Sequence, residues 1–521
     1  MGKKGKSIIG IICVALLCSN SVFASDGIEA GSRNLDTFFE NSIDYGVESV
    51  DAGENEENKA LGNDSFQELE GQFIASKNEG NFQGAEEEEE LFTSEQDETD
   101  STEQSFDLIL KEDFSTDQFV QVVFDIYENV NLSVVSEIAL VHVDLPLGID
   151  KNEFVNNEFI MPFIYAQGEM PAMDAPQNPI ANIDLASTSL NERPFYSRMT
   201  NEELFEAMAW HVNEVTNDGA SLEISKGNGT KVALIDSGID ISHPVLSGKI
   251  DIESSKSYVE NDLSIQDTNG HGTIVAGIIA QIAPEAQITS YRVIGDTSGN
   301  SEWSVEALVQ AVNDGNDIIN MSLGTYKCSD TESELVTITA FERAVQYAES
   351  RGAIVVASSG NKALNLDMYY ETEHIMHLPG GIDGVITISA TNDDTLASYS
   401  NYGSDIDYCA PGGDLVYVEG ALDISQWIYC LYPTTMNNGL ASIGVPQGYT
   451  FSYGTSLAAP EVTAALADIL SQDPNASSAQ LIEYLNYGVT DLGEAGYDIK
   501  FGMGKINIES SLLHIEDCQN H

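Results

Sequence analysis

Residues 231–240 read KVALIDSGID, a short apolar run followed by an acidic residue and a turn. The run is apolar at consecutive positions, which is typical of a strand buried on both faces. Similar apolar runs follow at residues 288–294 (ITSYRVI), 317–324 (DIINMSLG), 353–360 (AIVVASSG) and 385–391 (VITISAT). Helical patterns lie between and after these runs, at residues 305–313, 335–349, 478–487 and 506–513. This alternation predicts an α/β fold, a doubly wound parallel sheet with helices on both faces.

Three of the motifs in this region each carry one polar side chain of a kind that hydrolysis uses. Asp236 ends the first predicted strand, His271 opens a predicted helix in NGHGTIVA, and Ser456 stands at another helix start in YGTSLAAP. A serine nucleophile needs a base to accept its proton and an acid to orient that base. Taken singly, each motif also fits an ordinary turn or cap. Together, in the order Asp, His, Ser, they predict a catalytic triad.

With these motifs, and with VVASSGN ending at Asn361, the chain resembles the subtilisin family (subtilases) of serine proteases. The resemblance runs over about residues 210–513. It implies a subtilisin-like fold and endopeptidase activity through a covalent acyl-enzyme, with Ser456 as nucleophile, His271 as general base and Asp236 orienting His271. It also implies that the amide of Asn361 donates a hydrogen bond to the oxyanion.

The resemblance extends to peptide binding. Main-chain pairing holds an extended peptide, and side pockets select its residues. The implied substrate-binding residues are Ser322, Leu323 and Gly324 as the pairing strand, and Ser358, Ser359 and Gly360 as a wall of the pocket for the residue before the cleaved bond, with residues 377–381 near the pocket base.

Several residues depart from the common family pattern, and these departures narrow the expected type of subtilase and its expected metal sites. Ile274 stands where many members have a second histidine, and the serine motif continues LAAPEV instead of MASPHV. Val245 replaces an aspartate of the strong calcium site, so that site is expected to be absent, while weaker structural calcium sites stay open. No metal ligands are predicted, and acyl transfer requires no cofactor.

These departures are similar to those of lantibiotic leader peptidases, which implies limited processing of an exported precursor peptide. A general degradative secreted subtilase is the alternative. A third hypothesis is an inactive binding protein on the same fold. The presence of Asp236, His271, Asn361 and Ser456 counts against it.

The composition limits the partners. The chain has 521 residues and a formal charge of −63, with 84 acidic and 21 basic side chains. Such a surface repels the phosphates of nucleic acid, so nucleic-acid binding is not expected. A cationic peptide substrate would be attracted.

The N-terminal part of the sequence predicts export and a separate pro-region. Residues 1–24 have the basic, apolar and small-residue parts of a signal peptide, and no stable membrane anchor is expected, so the predicted localisation is extracellular. The expected domains are an acidic disordered segment (25–104), a small α+β unit (105–168), a linker (169–200) and the catalytic domain (201–521).

The α+β unit is predicted from strands at 106–112, 138–145 and 159–165, a helix at 116–129 and a short helical piece near Asn152. Its element order resembles the family's inhibitory propeptide. This implies a zymogen whose own pro-region is an intramolecular inhibitor, released by cleavage between residues 167 and 198. An unrelated N-terminal module is the alternative.

Two further features concern cysteines and aromatic residues. Beyond the signal the sequence contains Cys328, Cys409, Cys430 and Cys518, and a Cys409–Cys430 disulfide is a hypothesis from their proximity in sequence. Residues 413–448 form an aromatic insertion that includes Trp427. The insertion is either a substrate-binding lip or a packed surface loop, and we slightly favour the lip.

Overall fold

A computed structural model of the chain describes residues 104–176, 200, 203–205, 208–418, 421–441 and 444–520. These residues fall within one compact unit, Asp97–His521. The predicted signal peptide and almost all of the predicted acidic segment lie outside the described residues, as do residues 177–199 of the predicted linker.

The first part of the described chain is a four-stranded antiparallel sheet with two helices. Its elements are β1 (Gln104–Leu110), α1 (Thr116–Ile126), β2 (Asn131–Val135), β3 (Leu140–Leu145), α2 (Lys151–Val155) and β4 (Ile164–Gly168). The strands lie in the order β2-β3-β1-β4, each neighbouring pair antiparallel. Phe106, Leu108 and Leu110 pack in one core with Phe119 of α1, whereas Ile109 joins the core of the rest of the molecule. We call residues 104–168 the N-terminal unit.

Two elements of this unit differ from the sequence prediction. The sequence pattern does not predict β2, because this strand pairs only with β3 and its residues are largely exposed. The last strand is β4, which starts later than residue 159. Pro162 stands in a single 3₁₀ turn, Met161–Phe163, directly before it. Proline has no N–H group to donate to a neighbouring strand, so the strand begins after the turn.

The second part is built around a parallel sheet. Its elements are β5 (Ala172–Asp174), α3 (Trp210–Thr216), β6 (Lys231–Asp236), β7 (Lys256–Ser257), α4 (His271–Ile282), β8 (Gln287–Arg292), β9 (Ser298–Asn300), α5 (Ser301–Asn313), β10 (Ile318–Met321), β11 (Thr325–Cys328), α6 (Leu335–Arg351), β12 (Ile354–Ser358), α7 (Leu366–Glu373), β13 (Ile375–Leu378), β14 (Val385–Asn392), β15 (Thr395–Leu396), β16 (Tyr408–Pro411), β17 (Tyr417–Val418), β18 (Ala421–Leu422), β19 (Ile428–Leu431), β20 (Tyr449–Ser452), α8 (Thr455–Gln472), α9 (Ser478–Gly488) and α10 (Ile508–Asn520).

The strand order of the main sheet is β15-β14-β12-β10-β6-β8-β7, with β16 beside β14. All neighbouring pairs are parallel except β14 with β15. The chain passes from β6 to β8 on one side and later returns to β10 on the other. Ligands of open α/β sheets bind beyond the carboxyl ends of the strands at such a switch point. Asp236 is the last residue of β6, so the fold places it at this edge.

Alternate residues of β6 enter two different cores. Val232 and Leu234 pack with α4 and α8 on one face of the sheet. Ala233 and Ile235 pack with α5 and α6 on the other face. A strand covered on both faces must be apolar at consecutive positions, which is the pattern of KVALID. The predicted doubly wound parallel sheet is therefore confirmed.

The N-terminal unit contacts the second part through α6. The Arg343 guanidinium donates to the carbonyl oxygens of Leu110 (2.8 Å) and Ile138 (3.0 Å). Directly after the unit, β5 pairs antiparallel with β9. These contacts tie the two parts together along a helix and a strand edge.

Three aromatic residues of the insertion, Trp427, Tyr429 and Tyr432, are buried, so for these side chains the expectation of a substrate lip is wrong. Trp427 and Tyr429 are 0% and 1% exposed. The Trp427 ring lies 4.6 Å from that of Tyr453, and Tyr429 stacks on Tyr449 in the β19–β20 hairpin. Packing against neighbouring aromatic rings is what buries this segment.

The proposed Cys409–Cys430 disulfide is also wrong. Cys328, Cys409, Cys430 and Cys518 are all free thiols. Cys409 lies in β16 and Cys430 in β19, which belong to different sheets, so closeness in sequence does not bring the two thiols together. Among the described helices, none is both long and apolar enough to cross a bilayer.

Candidate active site

Asp236 and His271 form a buried hydrogen-bonded pair at the end of β6. The His271 Nδ1 atom lies 2.8 Å from Oδ1 and 3.0 Å from Oδ2 of Asp236. Asp236 Oδ1 also accepts the N–H of Ser237 at 2.7 Å. Asp236 is 1% exposed and His271 8% exposed. Both side chains are thus held rigidly and largely shielded from water.

His271 is the first residue of α4, and the residue before it must be glycine. Gly270 has φ of 107°, in the left-handed region. A Cβ at this position would also lie 2.4 Å from the ring of Tyr432. The motif NGHG therefore reflects a tight approach of the aromatic insertion to the start of α4.

The electrostatic environment favours the protonated form of His271. Burial acts to lower the pKa of His271, but the charge and hydrogen bond of Asp236, helped by the charge of Asp267, raise it above the ordinary value on balance. An imidazolium formed here would be stabilised by the adjacent carboxylate.

Ser456 and Asn361 meet around Gly454. Ser456 is the second residue of α8 and is half-buried. A Cβ built on Gly454, whose φ is 146°, would lie 3.1 Å from Asn361 Nδ2 and 3.2 Å from Ser456 Oγ. The Asn361 Oδ1 atom accepts hydrogen bonds from the N–H (2.9 Å) and hydroxyl (2.8 Å) of Thr455. Because Oδ1 is held in this way, the Nδ2 amide is the group turned toward Gly454 and Ser456.

A further network, which the sequence analysis did not identify, links the strand of Asp236 to the helix of His271. Asp267 is buried and accepts the Ser237 hydroxyl at 2.9 Å. It also accepts the N–H of Gly270 at 2.7 Å and both the N–H (2.9 Å) and the hydroxyl (2.6 Å) of Thr273. In turn, Ser237 Oγ accepts the N–H of Gly272 at 2.8 Å. The only sign of this network in the sequence is that an acidic residue, Asp267, stands four positions before His271.

The predicted substrate-binding residues follow two neighbouring strands. Ser322, Leu323 and Gly324 come directly after β10, and Ser358, Ser359 and Gly360 end and follow β12. These strands are parallel neighbours, so both segments leave the same edge of the sheet. The main chain of Ser359 is already occupied, its N–H donating to Ile388 and its carbonyl accepting from Asn401.

His377 lies between these two segments, as the prediction for residues 377–381 implies. Its Nε2 atom would be 2.5 Å from a Cβ on Gly324 and 3.3 Å from a Cβ on Gly360. Burial, with a smaller effect from the charge of Lys362, lowers the pKa of His377 to about 4. A largely neutral imidazole therefore lies between the two predicted substrate-binding segments.

The strand that follows the N-terminal unit ends beside the triad. Beyond β5, the Pro176 carbonyl oxygen accepts a hydrogen bond of 3.0 Å from Asn269 Nδ2. Asn269 stands two residues before His271, and its Oδ1 accepts the His271 N–H at 3.3 Å. The chain after the N-terminal unit therefore reaches the edge of this site.

The unusual residues of the two helix motifs are accommodated in the core. Ile274 is 3% exposed and packs with α8. Glu461 of the LAAPEV motif is fully buried, with Oε1 2.9 Å from His211 Nδ1. Burial raises the pKa of Glu461 well above its ordinary value and lowers that of His211 to about 3. Burial therefore disfavours the charged forms of both Glu461 and His211.

Comparison with known proteins agrees with this site. The Subtilase family profile matches residues 227–504. The chain therefore belongs to the subtilase family, whose members are serine-type endopeptidases.

Individual relatives include leader-processing enzymes. The chain is 32% identical over 295 residues to the epidermin leader peptide-processing serine protease EpiP of Staphylococcus epidermidis, covering 50% of this chain and 63% of that protein. It is 31% identical over 271 residues to thermitase of Thermoactinomyces vulgaris, covering 49% of this chain and 80% of thermitase. A crystal structure of a lanthipeptide protease superposes with a TM-score of 0.57 at 32% identity, covering 63% of this chain and 98% of that one.

Proposed function

We propose that this chain is an exported serine endopeptidase that makes a limited cut in a precursor peptide, such as removal of a lantibiotic leader. The observation that carries the proposal is the buried Asp236–His271 pair at the carboxyl end of β6, together with Asn361 and Ser456, which meet at Gly454. Similarity to a leader peptide-processing protease and to a lanthipeptide protease supports the substrate class.

The proposed reaction is acyl transfer. Ser456 attacks the carbonyl carbon of the cleaved bond while His271 accepts the hydroxyl proton and later delivers it to the leaving amine. Asp236 holds Nδ1–H of His271, so Nε2 is the nitrogen that transfers the proton. The Asn361 amide and the Ser456 N–H stabilise the oxyanion. No cofactor takes part in these steps.

We propose that the N-terminal unit is an intramolecular inhibitor. It packs on α6, and β5 then pairs with β9 and leads to Pro176 beside Asn269. A segment that contacts Asn269 in this way lies beside His271 and would hinder the approach of a peptide. We propose that self-cleavage between residues 167 and 198 removes it.

Mass spectrometry of the secreted wild-type and Ser456→Ala proteins tests both the nucleophile and the pro-region. We expect the wild type to lose its N-terminal region and Ser456→Ala to keep it. Equal trimming of both proteins would show that another protease matures the chain, and no trimming of either would contradict the pro-region.

A substrate comparison separates limited processing from general degradation, the alternative that the sequence leaves open. The matured enzyme is incubated with a leader-bearing lantibiotic precursor and with unfolded casein. One cut in the precursor and little cleavage of casein supports processing, whereas extensive casein fragmentation supports degradation. Labelling by a fluorophosphonate, absent in Ser456→Ala, excludes an inactive binding protein.

A further inference from the structure

Three side chains from distant parts of the sequence converge where the N-terminal unit meets α5. Asp107 lies in β1, His142 in β3 and Glu302 at the start of α5. The Nδ1 atom of His142 is 2.7 Å from Asp107 Oδ1 and 3.2 Å from Glu302 Oε1. One nitrogen and two oxygens from these residues all lie within 4.8 Å of one another.

The other ring nitrogen of His142 has its own acidic partner. Its Nε2 atom lies 3.3 Å from Asp144 Oδ1. A ring that donates its Nε2 proton to Asp144 presents an Nδ1 lone pair to the oxygens of Asp107 and Glu302. Three electron-rich atoms then face one another, and the arrangement is repulsive unless a proton or a metal cation lies between them.

A single proton satisfies this geometry only partly. If Nδ1 is protonated, its one N–H can point fully at only one of the two oxygens, that of Asp107 or that of Glu302. The site is poorly hydrated, because the exposed fractions of the side chains are 3% for Asp107, 14% for Glu302 and 25% for His142. Glu306, one turn further along α5, adds to the negative field at His142 and Asp107.

A metal ion satisfies all three atoms at once. In metal sites, the nitrogen of histidine that does not bind the metal usually donates to a carboxylate, as Nε2 can to Asp144 here. Asp107 is oriented for this role, since its Oδ2 accepts the N–H of Met170 at 2.8 Å. The partial exposure of His142 leaves a path for an ion to enter.

We propose that Asp107, His142 and Glu302 bind one zinc ion that joins the N-terminal unit to α5. The mixed nitrogen and oxygen ligands suit Zn²⁺ better than Ca²⁺ or Mg²⁺, which prefer oxygen alone. A tetrahedral zinc ion with bonds of about 2.0–2.1 Å separates its ligand atoms by roughly 3.3 Å, so the closest pair here must move apart by about half an ångström. The fourth position is open to water.

The ion would act on the association of the two parts, not on peptide hydrolysis. Asp107 and His142 belong to the N-terminal unit, while Glu302 belongs to the helix that starts directly after β9. If the proposed self-cleavage occurs, the ligands are divided between the two products, and zinc would slow release of the N-terminal fragment. Only this consequence rests on the proposed function.

Zinc titration of the full-length Ser456→Ala protein tests the site without self-cleavage. After treatment with a chelator, calorimetry and equilibrium dialysis with Zn²⁺ should give one bound ion. We expect His142→Gln and Glu302→Gln each to weaken binding by at least about tenfold. The matched control is His374→Gln, since His374 lies 3.7 Å from Asp330 on an exposed surface and should leave the affinity unchanged.

Cobalt absorption distinguishes this site from a thiol site. Cys518 Sγ lies 3.6 Å from His514 Nε2 and is the competing place for a soft metal. Co²⁺ at the proposed site should show d–d bands without a thiolate charge-transfer band, and these bands should disappear in His142→Gln. A thiolate band that is lost in Cys518→Ser would assign the metal to the surface pair and overturn the proposal.

Thermal unfolding in EDTA provides the folding control. If His142→Gln melts far below the Ser456→Ala protein, the near-isosteric Glu302→Gln decides. The proposal fails if no saturable zinc binding is found, or if both variants bind zinc as tightly as the parent. Because binding is measured on a protein without its nucleophile, failure of the proteolytic function would leave this result unaffected.

Discussion

At the scale of single residues, the hydrogen bonds of the site assign a direction to each polar group. Both oxygens of Asp236 face Nδ1 of His271, which leaves Nε2 for the proposed proton transfer. The Oδ1 atom of Asn361 is held by Thr455, which leaves its amide as a donor. Such preorganised donors and acceptors need little rearrangement during reaction.

Replacing Asn361 by leucine should lower kcat by about 10²–10³, with a much smaller change in KM, because the lost donor acts on the developing oxyanion. Steady-state kinetics on a peptide substrate measures this. Asn228→Ala, on the surface, serves as the control and should leave kcat unchanged. A rise in KM by the same factor, with kcat unchanged, would assign Asn361 to substrate binding instead.

Replacing Asp267 by asparagine should move the acid limb of the pH profile of kcat/KM to lower pH. The charge of Asp267 helps to raise the pKa of His271, so removing it favours the neutral imidazole at lower pH. Asp262→Asn is the matched control, because Asp262 pairs with Arg292 instead. An unchanged acid limb in Asp267→Asn would show that this carboxylate has only a structural role.

At the scale of elements, α8 carries the proposed nucleophile, Ser456, at its start and a buried acid near its end. Asp468 is 0% exposed, and burial raises its pKa to about 8. A hydrogen bond from the Ser225 hydroxyl to the Asp468 carboxylate would lower this pKa. The hydroxyl instead donates to the main-chain oxygen of Asp468 at 2.9 Å. The carboxyl group therefore remains protonated in the folded protein at neutral pH.

The protonation of Asp468 predicts how stability changes with pH. Its folded-state pKa of about 8 lies above the ordinary value of 3.8, so the folded state binds the extra proton between these values. The contribution of Asp468 to the free energy of unfolding should thus fall as pH rises from about 4 to about 8. Asp468→Asn in the Ser456→Ala background should flatten this dependence and raise the melting temperature at pH 8. A parallel pH dependence of both proteins would contradict the assignment.

Burial of aromatic side chains at the β19–β20 hairpin stabilises the folded protein. Trp427→Ala should cost about 3–5 kcal/mol of unfolding free energy, because a fully buried indole leaves a cavity. Tyr417 in the neighbouring β17 is 65% exposed, so Tyr417→Ala should change stability by less than about 0.5 kcal/mol. Denaturant titration of both variants in the Ser456→Ala background tests the contrast, and similar losses would contradict it.

At the scale of the whole molecule, the negative formal charge affects the encounter with substrate. It is −63 for the full sequence and −34 for residues 199–521, with 45 acidic and 11 basic side chains, which remain if the proposed cleavage occurs. An acidic protein attracts cationic peptides over distances that salt shortens. The value of kcat/KM for a cationic peptide should therefore fall as NaCl rises from low to physiological concentration. A neutral peptide with the same residues around the cleaved bond is the control, and an equal salt effect on both would exclude electrostatic steering.

Much of the fold could be predicted from the sequence, because buried parallel strands and amphipathic helices leave strong local patterns. The strand ending at Asp236 and the helix starting at His271 follow from apolar runs and flanking glycines. The edge strand β2 does not, since most of its residues face solvent. The packed state of Trp427 and the free thiols of Cys409 and Cys430 depend on which sheets lie beside them, so local sequence did not predict them.

The sequence by itself determined the α/β class, the order of the Asp, His and Ser motifs and the resemblance to subtilases, because these depend on residue types and short-range spacing. Tertiary structure decided which side chains meet. Asp267 with Ser237, Glu461 with His211, and Glu302 with His142 are each joined across different elements. Hydrogen bonds and charge pairs act only over a few ångströms in space. Because the number of residues between two positions does not determine their distance in the folded chain, the sequence did not predict these contacts.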